Sequence, residues 1–127
     1  MKANNTATIS GPRIVDKLKV HDVIITKAED IEAYLVDHRE LEPLLDAICN
    51  KARVEFGNST ELSLQVYRDP EIEERYLTLY VRQETYDPVI IDRIETMCEA
   101  FHRELETTNG YLLVTTDFRK PGSVHAV

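Results

Sequence analysis

The sequence predicts an α+β domain, an antiparallel sheet of three or four strands with two main helices on one face. Three observations predict it. Residues 61–67 and 75–82 alternate with period two. Leu62, Leu64 and Val66 are aliphatic in the first run and Leu77, Leu79 and Val81 in the second, with polar side chains or tyrosine between them. Such alternation suits strands buried on one side, because successive side chains point to opposite faces of a sheet. Leu41, Leu44, Leu45, Ile48 and Ala52 recur at helical spacing, and so do Ile90, Ile91, Ile94, Met97, Cys98, Phe101 and Leu105, each set forming one apolar stripe. The order is therefore helix, strand, strand, helix, strand, and a further strand at the start makes it ferredoxin-like.

Each element has a local signal. Residues 1–12 are polar and end in Ser10-Gly11-Pro12, which reads as a lead-in. The β-branched content of residues 14–25 suggests extended chain, with 20–25 the first strand and Asp22 marking it as an edge. Thr26-Lys27-Ala28-Glu29 reads as a capping box opening a short helix through Ile31, Tyr34 and Leu35. Asp37-His38-Arg39-Glu40 repeats that signal before a longer helix, whose Pro43 is tolerable only in a first turn and whose end lies near Gly57. Residues 68–74 are too long for a two-residue hairpin turn. Asp87-Pro88 opens the next helix and Thr108-Asn109-Gly110 closes it. Residues 111–116 form the last strand. The chain thus divides into a flexible segment over 1–19, a single α+β domain over 20–117 and a C-terminal tail over 118–127.

Charge is unevenly placed. The 127 residues carry a formal net charge of −8, divided as +3 over residues 1–20, −13 over 21–117 and +2 over 118–127. An acidic body with short basic ends argues against broad contact with nucleic acid, which needs clustered Lys and Arg. The basic ends are the only place where such contact is expected. No window approaches the run of about 20 apolar residues that a spanning helix requires, so no membrane association is expected. Two cysteines and no secretory signal suggest reduced thiols and a cytoplasmic location.

Few motifs carry chemistry. Glu99-Ala100-Phe101-His102 has the Glu-x-x-His spacing of carboxylate-bridged metal bundles, but those centres need a second copy and further glutamates. Cys98 and His102 stand four apart, a spacing that chelates a soft metal, yet zinc sites recruit four ligands and no second pair exists. Cys98, Glu99 and His102 are therefore the weak metal candidates, and the simpler reading is a solvated helix face beside an apolar cysteine. Cys49 has the same simple reading. A Cys–His nucleophile would need His21, His38 or His125 to approach in space. Asp69, Glu71, Glu73 and Glu74 form an acidic loop without calcium-loop spacing. Neither a P-loop nor Gly-x-Gly-x-x-Gly nor Gly-x-Ser-x-Gly is present. No catalytic residue and no cofactor are assigned.

The positions Tyr34-Leu35, Glu40-Leu41-x-x-Leu44-Leu45, Phe56, Leu62-Ser63-Leu64-x-Val66, Asp69-Pro70-Glu71 and Leu77-x-Leu79-x-Val81-Arg82 resemble a group of small uncharacterised prokaryotic proteins of αββαβ pattern. The likeness covers residues 23–119. It implies an operon companion of a second small protein, in the manner of toxin–antitoxin pairs, and so a partner-binding role. It implies no catalytic residue.

The expectation is a small non-catalytic protein-interaction module, binding a protein partner or itself as a dimer. Its surface is the face away from the helices, with Tyr67, Tyr76, Thr78 and Tyr80, or an open sheet edge. Two alternatives stand beside it. One is a small-molecule- or metal-binding domain or enzyme using Cys98 and His102. The other is an antitoxin-like regulator touching DNA through its basic ends.

Overall fold

The computed structural model describes residues 14–71 and 74–122, apart from the side chain of Asp69. In chain order its elements are helix α1 (Ile14–Leu18), strand β1 (Val23–Ile25), helices α2 (Ala28–Asp37) and α3 (Leu41–Phe56), strands β2 (Glu61–Asp69) and β3 (Glu74–Arg82), helices α4 (Ile90–Cys98) and α5 (His102–Glu106), and strand β4 (Leu112–Thr115). Short 3-10 turns follow α1 at Lys19–His21 and join α4 to α5 at Glu99–Phe101.

The fold is α+β with one four-stranded sheet, ordered β1-β2-β3-β4. The expected antiparallel sheet is corrected to a mixed one. Only β2 and β3 pair antiparallel; β1 runs parallel to β2, and β4 parallel to β3. The ferredoxin-like arrangement is corrected with it, because each helical crossover returns the chain to the neighbouring place in the sheet, with no strand between. The reason is in the connections. A strand pair joined through helices has enough chain to run parallel, whereas the short 70–73 link forces a hairpin. Alternation specifies which face a residue occupies, not which strand lies beside it.

The first strand exists but is shorter than expected. Residues 14–18 form a helix, not extended chain, and bury Ile14, Val15 and Leu18, whose spacing suits one helical face. Among the described residues the packed body therefore already includes Ile14, ahead of residue 20. Residues 1–13 and 123–127, which hold most of the predicted flexible segment and part of the predicted tail, lie outside the described residues. Neither capping box forms. The Thr26 N–H donates to Leu64 O at 3.1 Å, continuing the ladder, and Lys27 at φ 54° precedes α2. The Glu40 carboxylate reaches instead to the Asn109 N–H at 2.8 Å.

The aliphatic rows meet most of the helix stripes, but Ile91 stays exposed and the stripe from Ile90 to Leu105 is broken by the Glu99–Phe101 turn. Leu62, Leu64, Leu77, Leu79 and Val81 are fully buried with Ile31, Leu35, Leu41, Leu45 and Ile48, each buried side chain contributing about 1.5–3 kcal/mol. One guanidinium locks the end of α3. Arg53 donates to the carbonyls of His21 at 3.0 Å, Gly57 at 2.8 Å, Thr60 at 2.6 Å and Asp22 at 3.2 Å. It thereby joins the chain before β1 to the chain before β2.

Candidate functional site: a tyrosine row and an open sheet edge

The hairpin register opposes Glu61 to Arg82, Ser63 to Tyr80, Gln65 to Thr78 and Tyr67 to Tyr76. These four pairs share the face away from the helices, since Leu62, Leu64, Leu77 and Leu79 occupy the other. Strand β4 extends that face with Leu113 opposite Thr78 and Thr115 opposite Tyr80. Tyr111, just before β4, lies on it too. The Tyr67 and Tyr76 rings are 5.1 Å apart, and Tyr76 meets Tyr111 edge-on at 5.3 Å. These spacings fall in the range where aromatic pairs attract. Three tyrosines thus form a row across three adjacent strands.

The members of this face are not equally accessible. Tyr111 is 57% exposed and Tyr67 38%, while Tyr76 and Tyr80 are half-buried. Thr78 is only 2% exposed and lies at the floor, beside the larger side chains opposite it. Its hydroxyl has no hydrogen-bond partner among the described residues. Tyr111 was not among the residues picked from the sequence. Its signal was the odd-position parity it shares with Leu113, which has meaning only once β4 is known to flank β3.

At the other end of this face, Arg82 is 2% exposed and paired twice, to Glu61 at 2.9 Å and to Asp117 at 3.0 Å. The Tyr80 ring covers the guanidinium at 4.9 Å, close enough for a cation–π contribution. Glu61 also accepts the Gly122 N–H at 2.8 Å. Burial opposes ionisation of Asp117, but hydrogen bonds from Arg82 and the Arg119 N–H outweigh it and hold the carboxyl below its usual range. Burial, and then the Asp117 charge, push the Tyr80 hydroxyl up. A buried cation with two carboxylates is the geometry of a clamp. It straps residues 117–122 to the sheet.

The second feature is a groove of about 750 Å³ between β4 and the α4–α5 face. Ile91, Ile94, Cys98 and Leu105 give it apolar walls, and Glu95 and His102 lie among them. The structure therefore brings Cys98 and His102 to one surface, whereas Glu99 is not among the groove's lining residues. His102 Nε2 lies 3.0 Å from Glu106 Oε2 one turn on. Burial, aided by Glu95, pushes the Cys98 thiol up, and burial with Asp46 raises Cys49 to about 12. Burial thus disfavours the thiolate at both cysteines. Elsewhere, His21 lies 3.1 Å from Asp46, and His38 packs on Tyr34 at 4.4 Å, its Nδ1 buried without a hydrogen-bond partner among the described residues. His125 lies outside the described residues, as does part of the acidic 69–74 loop.

Among the described residues no group of three or more His, Cys, Asp or Glu side chains is placed to hold a metal ion. No helix among them is long and apolar enough to cross a membrane. Of the basic N-terminal side chains, Lys2 and Arg13 lie outside the described residues, while Lys17 and Lys19 are exposed. No family model, no curated protein and no solved structure matches this chain.

Proposed function

We propose that this protein is a non-catalytic interaction module that meets a protein partner through its tyrosine row. The observation that carries the reading is the contiguity of Tyr67, Tyr76 and Tyr111 across β2, β3 and the start of β4. Tyrosine supplies a large apolar ring with a polar tip and little rotamer entropy to lose, which is why it is enriched where proteins meet. A row rooted in three hydrogen-bonded strands is also preorganised. The resemblance to operon companions of a second small protein points the same way.

The test compares wild-type protein with the Tyr67→Ser, Tyr76→Ser double variant as bait in lysate of the native host. A partner retained by the wild type is identified, purified and titrated against both proteins. The reading expects roughly a hundredfold weaker binding by the double variant, from two anchors of about 1–2 kcal/mol each, with its native circular dichroism retained. Equal affinity of both proteins for the purified partner refutes it.

A further inference from the structure

Thr78 sits at the centre of the face that bears the tyrosine row. The register puts Gln65 opposite it on β2 and Leu113 opposite it on β4. Tyr76 and Tyr80 precede and follow it on the same side of β3, since side chains alternate along a strand. Ser63, Tyr67, Tyr111 and Thr115 complete the surround. Four of these eight neighbours are tyrosines, and none of the nine side chains is charged. At one end of the face Glu61, Arg82 and Asp117 are bonded to one another.

The fold of the described residues does not use the central hydroxyl. Thr78 is 2% exposed, and its Oγ1 is buried with no hydrogen-bond partner among the described residues. A buried hydroxyl left unbonded loses its hydration and gains nothing in return. Valine has the same shape without that cost, and it is equally at home in a strand. Among the described residues the helices lie on the other side of the sheet, so the cover over this hydroxyl is the side chains of its neighbours. Gln65, Tyr76, Tyr80 and Leu113 are all half-buried, surface groups that reach it by a change of rotamer, not of fold.

We infer that the centre of this face receives a carboxamide, the side chain of an Asn or Gln on the protein partner, and that Thr78 is the residue that selects it. Three features choose that chemistry. The Thr78 hydroxyl and the Gln65 carboxamide each offer a donor and an acceptor, and a carboxamide has donors and lone pairs enough to answer both, whereas a hydroxyl brings a single donor. A charged group would leave water with no opposite charge among the nine side chains to meet it. An apolar group would leave the Thr78 hydroxyl unbonded. The inference rests on the tyrosine-row reading for its partner and adds the group that this partner presents.

Benzamide is the probe, a carboxamide on a ring that suits the tyrosines, and benzoate is its charged counterpart. Each is titrated into the full chain while the amide spectrum is followed. Benzamide is expected to shift Gln65, Tyr76, Thr78 and Tyr80 saturably, and benzoate to bind roughly tenfold more weakly. Thr78→Val is expected to raise the urea midpoint of the free protein and to weaken benzamide about tenfold, the loss of one hydrogen bond. Thr78→Ser keeps the benzamide response. A Thr78→Val midpoint that fails to rise shows the hydroxyl already bonded within the chain and overturns the proposal. So does benzamide binding indifferent to Thr78→Val, benzoate binding as tight as benzamide, or the absence of a saturable shift on this face. The row is read separately, by the partner titration of the Tyr67→Ser, Tyr76→Ser variant. A Thr78-dependent response beside a row that fails supports the site and refutes the row. No response beside a row that holds refutes the site alone.

Discussion

The Tyr34 hydroxyl lies 2.9 Å from the Tyr111 backbone nitrogen and accepts its N–H, joining α2 to the start of the edge strand. The contact spans 77 positions of sequence. It fixes the residue that completes the tyrosine row, and Tyr34 is itself 4% exposed. Tyr34→Phe keeps the ring and removes the acceptor. We expect a loss of about 1 kcal/mol, read as a lower urea midpoint with an unchanged slope, together with faster hydrogen exchange at the Tyr111 amide. An unaltered exchange rate there would show that the bond contributes nothing.

Arg53 holds four backbone carbonyls from two chain segments. Arg53→Met preserves the stem and strands those acceptors, so stability is expected to fall by about 3 kcal/mol, given that charged hydrogen bonds contribute about 1.5–3 kcal/mol each and do not add fully. Arg53→Lys recovers little of this, because an ammonium cannot reproduce the planar fork. Chemical denaturation of the two variants gives the comparison directly.

Two glycines are needed for different reasons, and alanine separates them. A Cβ on Gly110 would stand 2.5 Å from Leu41 Cδ1 and 2.9 Å from His38 Cβ. Gly110→Ala must therefore move the junction of α2 and α3 against β4, at about 1–3 kcal/mol. Gly57 has open space around it but a φ of +86°. Gly57→Ala is expected to cost about 1–3 kcal/mol through backbone strain alone, because φ 86° with ψ 176° is a region that essentially only glycine occupies. Thermal melts should show both variants destabilised, and only the first should disturb the amide spectrum of residues 38–41.

Asp117 sets an acid limit on the strap formed by residues 117–122. Its carboxyl titrates below the usual range when folded because Arg82 and the Arg119 N–H favour the charged form over the opposing effect of burial. A depressed folded pKa means that the stabilisation is complete above the unfolded value of about 3.9 and is lost as pH falls from there through the lower folded one. Asp117→Asn removes that dependence and lowers stability at neutral pH. Denaturation midpoints of both proteins from neutral pH to pH 2 should converge at the acid end; parallel curves would remove Asp117 from the account.

Much of this surface was legible in the sequence. The alternation of residues 61–67 and 75–82 assigned Tyr67, Tyr76 and Tyr80 to one face and the leucines to the other, because period two admits no third option. Strand neighbours were not legible, so the partner of 111–116 stayed unknown and Tyr111 went unnoticed. The same gap hid the clamp. Arg82 reads as the polar end of a strand until Glu61 and Asp117 are brought to it from 21 and 35 positions away. At Ile14-Val15, β-branched propensity argued for extended chain, but burial of one helical face against α2 and α3 prevailed. At Thr26 the capping motif lost to a ladder bond with Leu64.

The strands lie in the sheet in the order in which they occur in the chain. Assembly therefore never requires a late segment to be inserted between two strands already joined. The β2–β3 hairpin closes over the shortest loop, and β1 and β4 add to its two flanks independently, each carried by its own crossover. The two parallel pairings each close a long crossover, Val23 to Leu62 and Leu77 to Leu112, so β1 and β4 are expected to add more slowly than the hairpin closes. A lesion in α4, α5 or β4 should leave the β1–β3 half able to collect, and the converse should hold for α2 and α3.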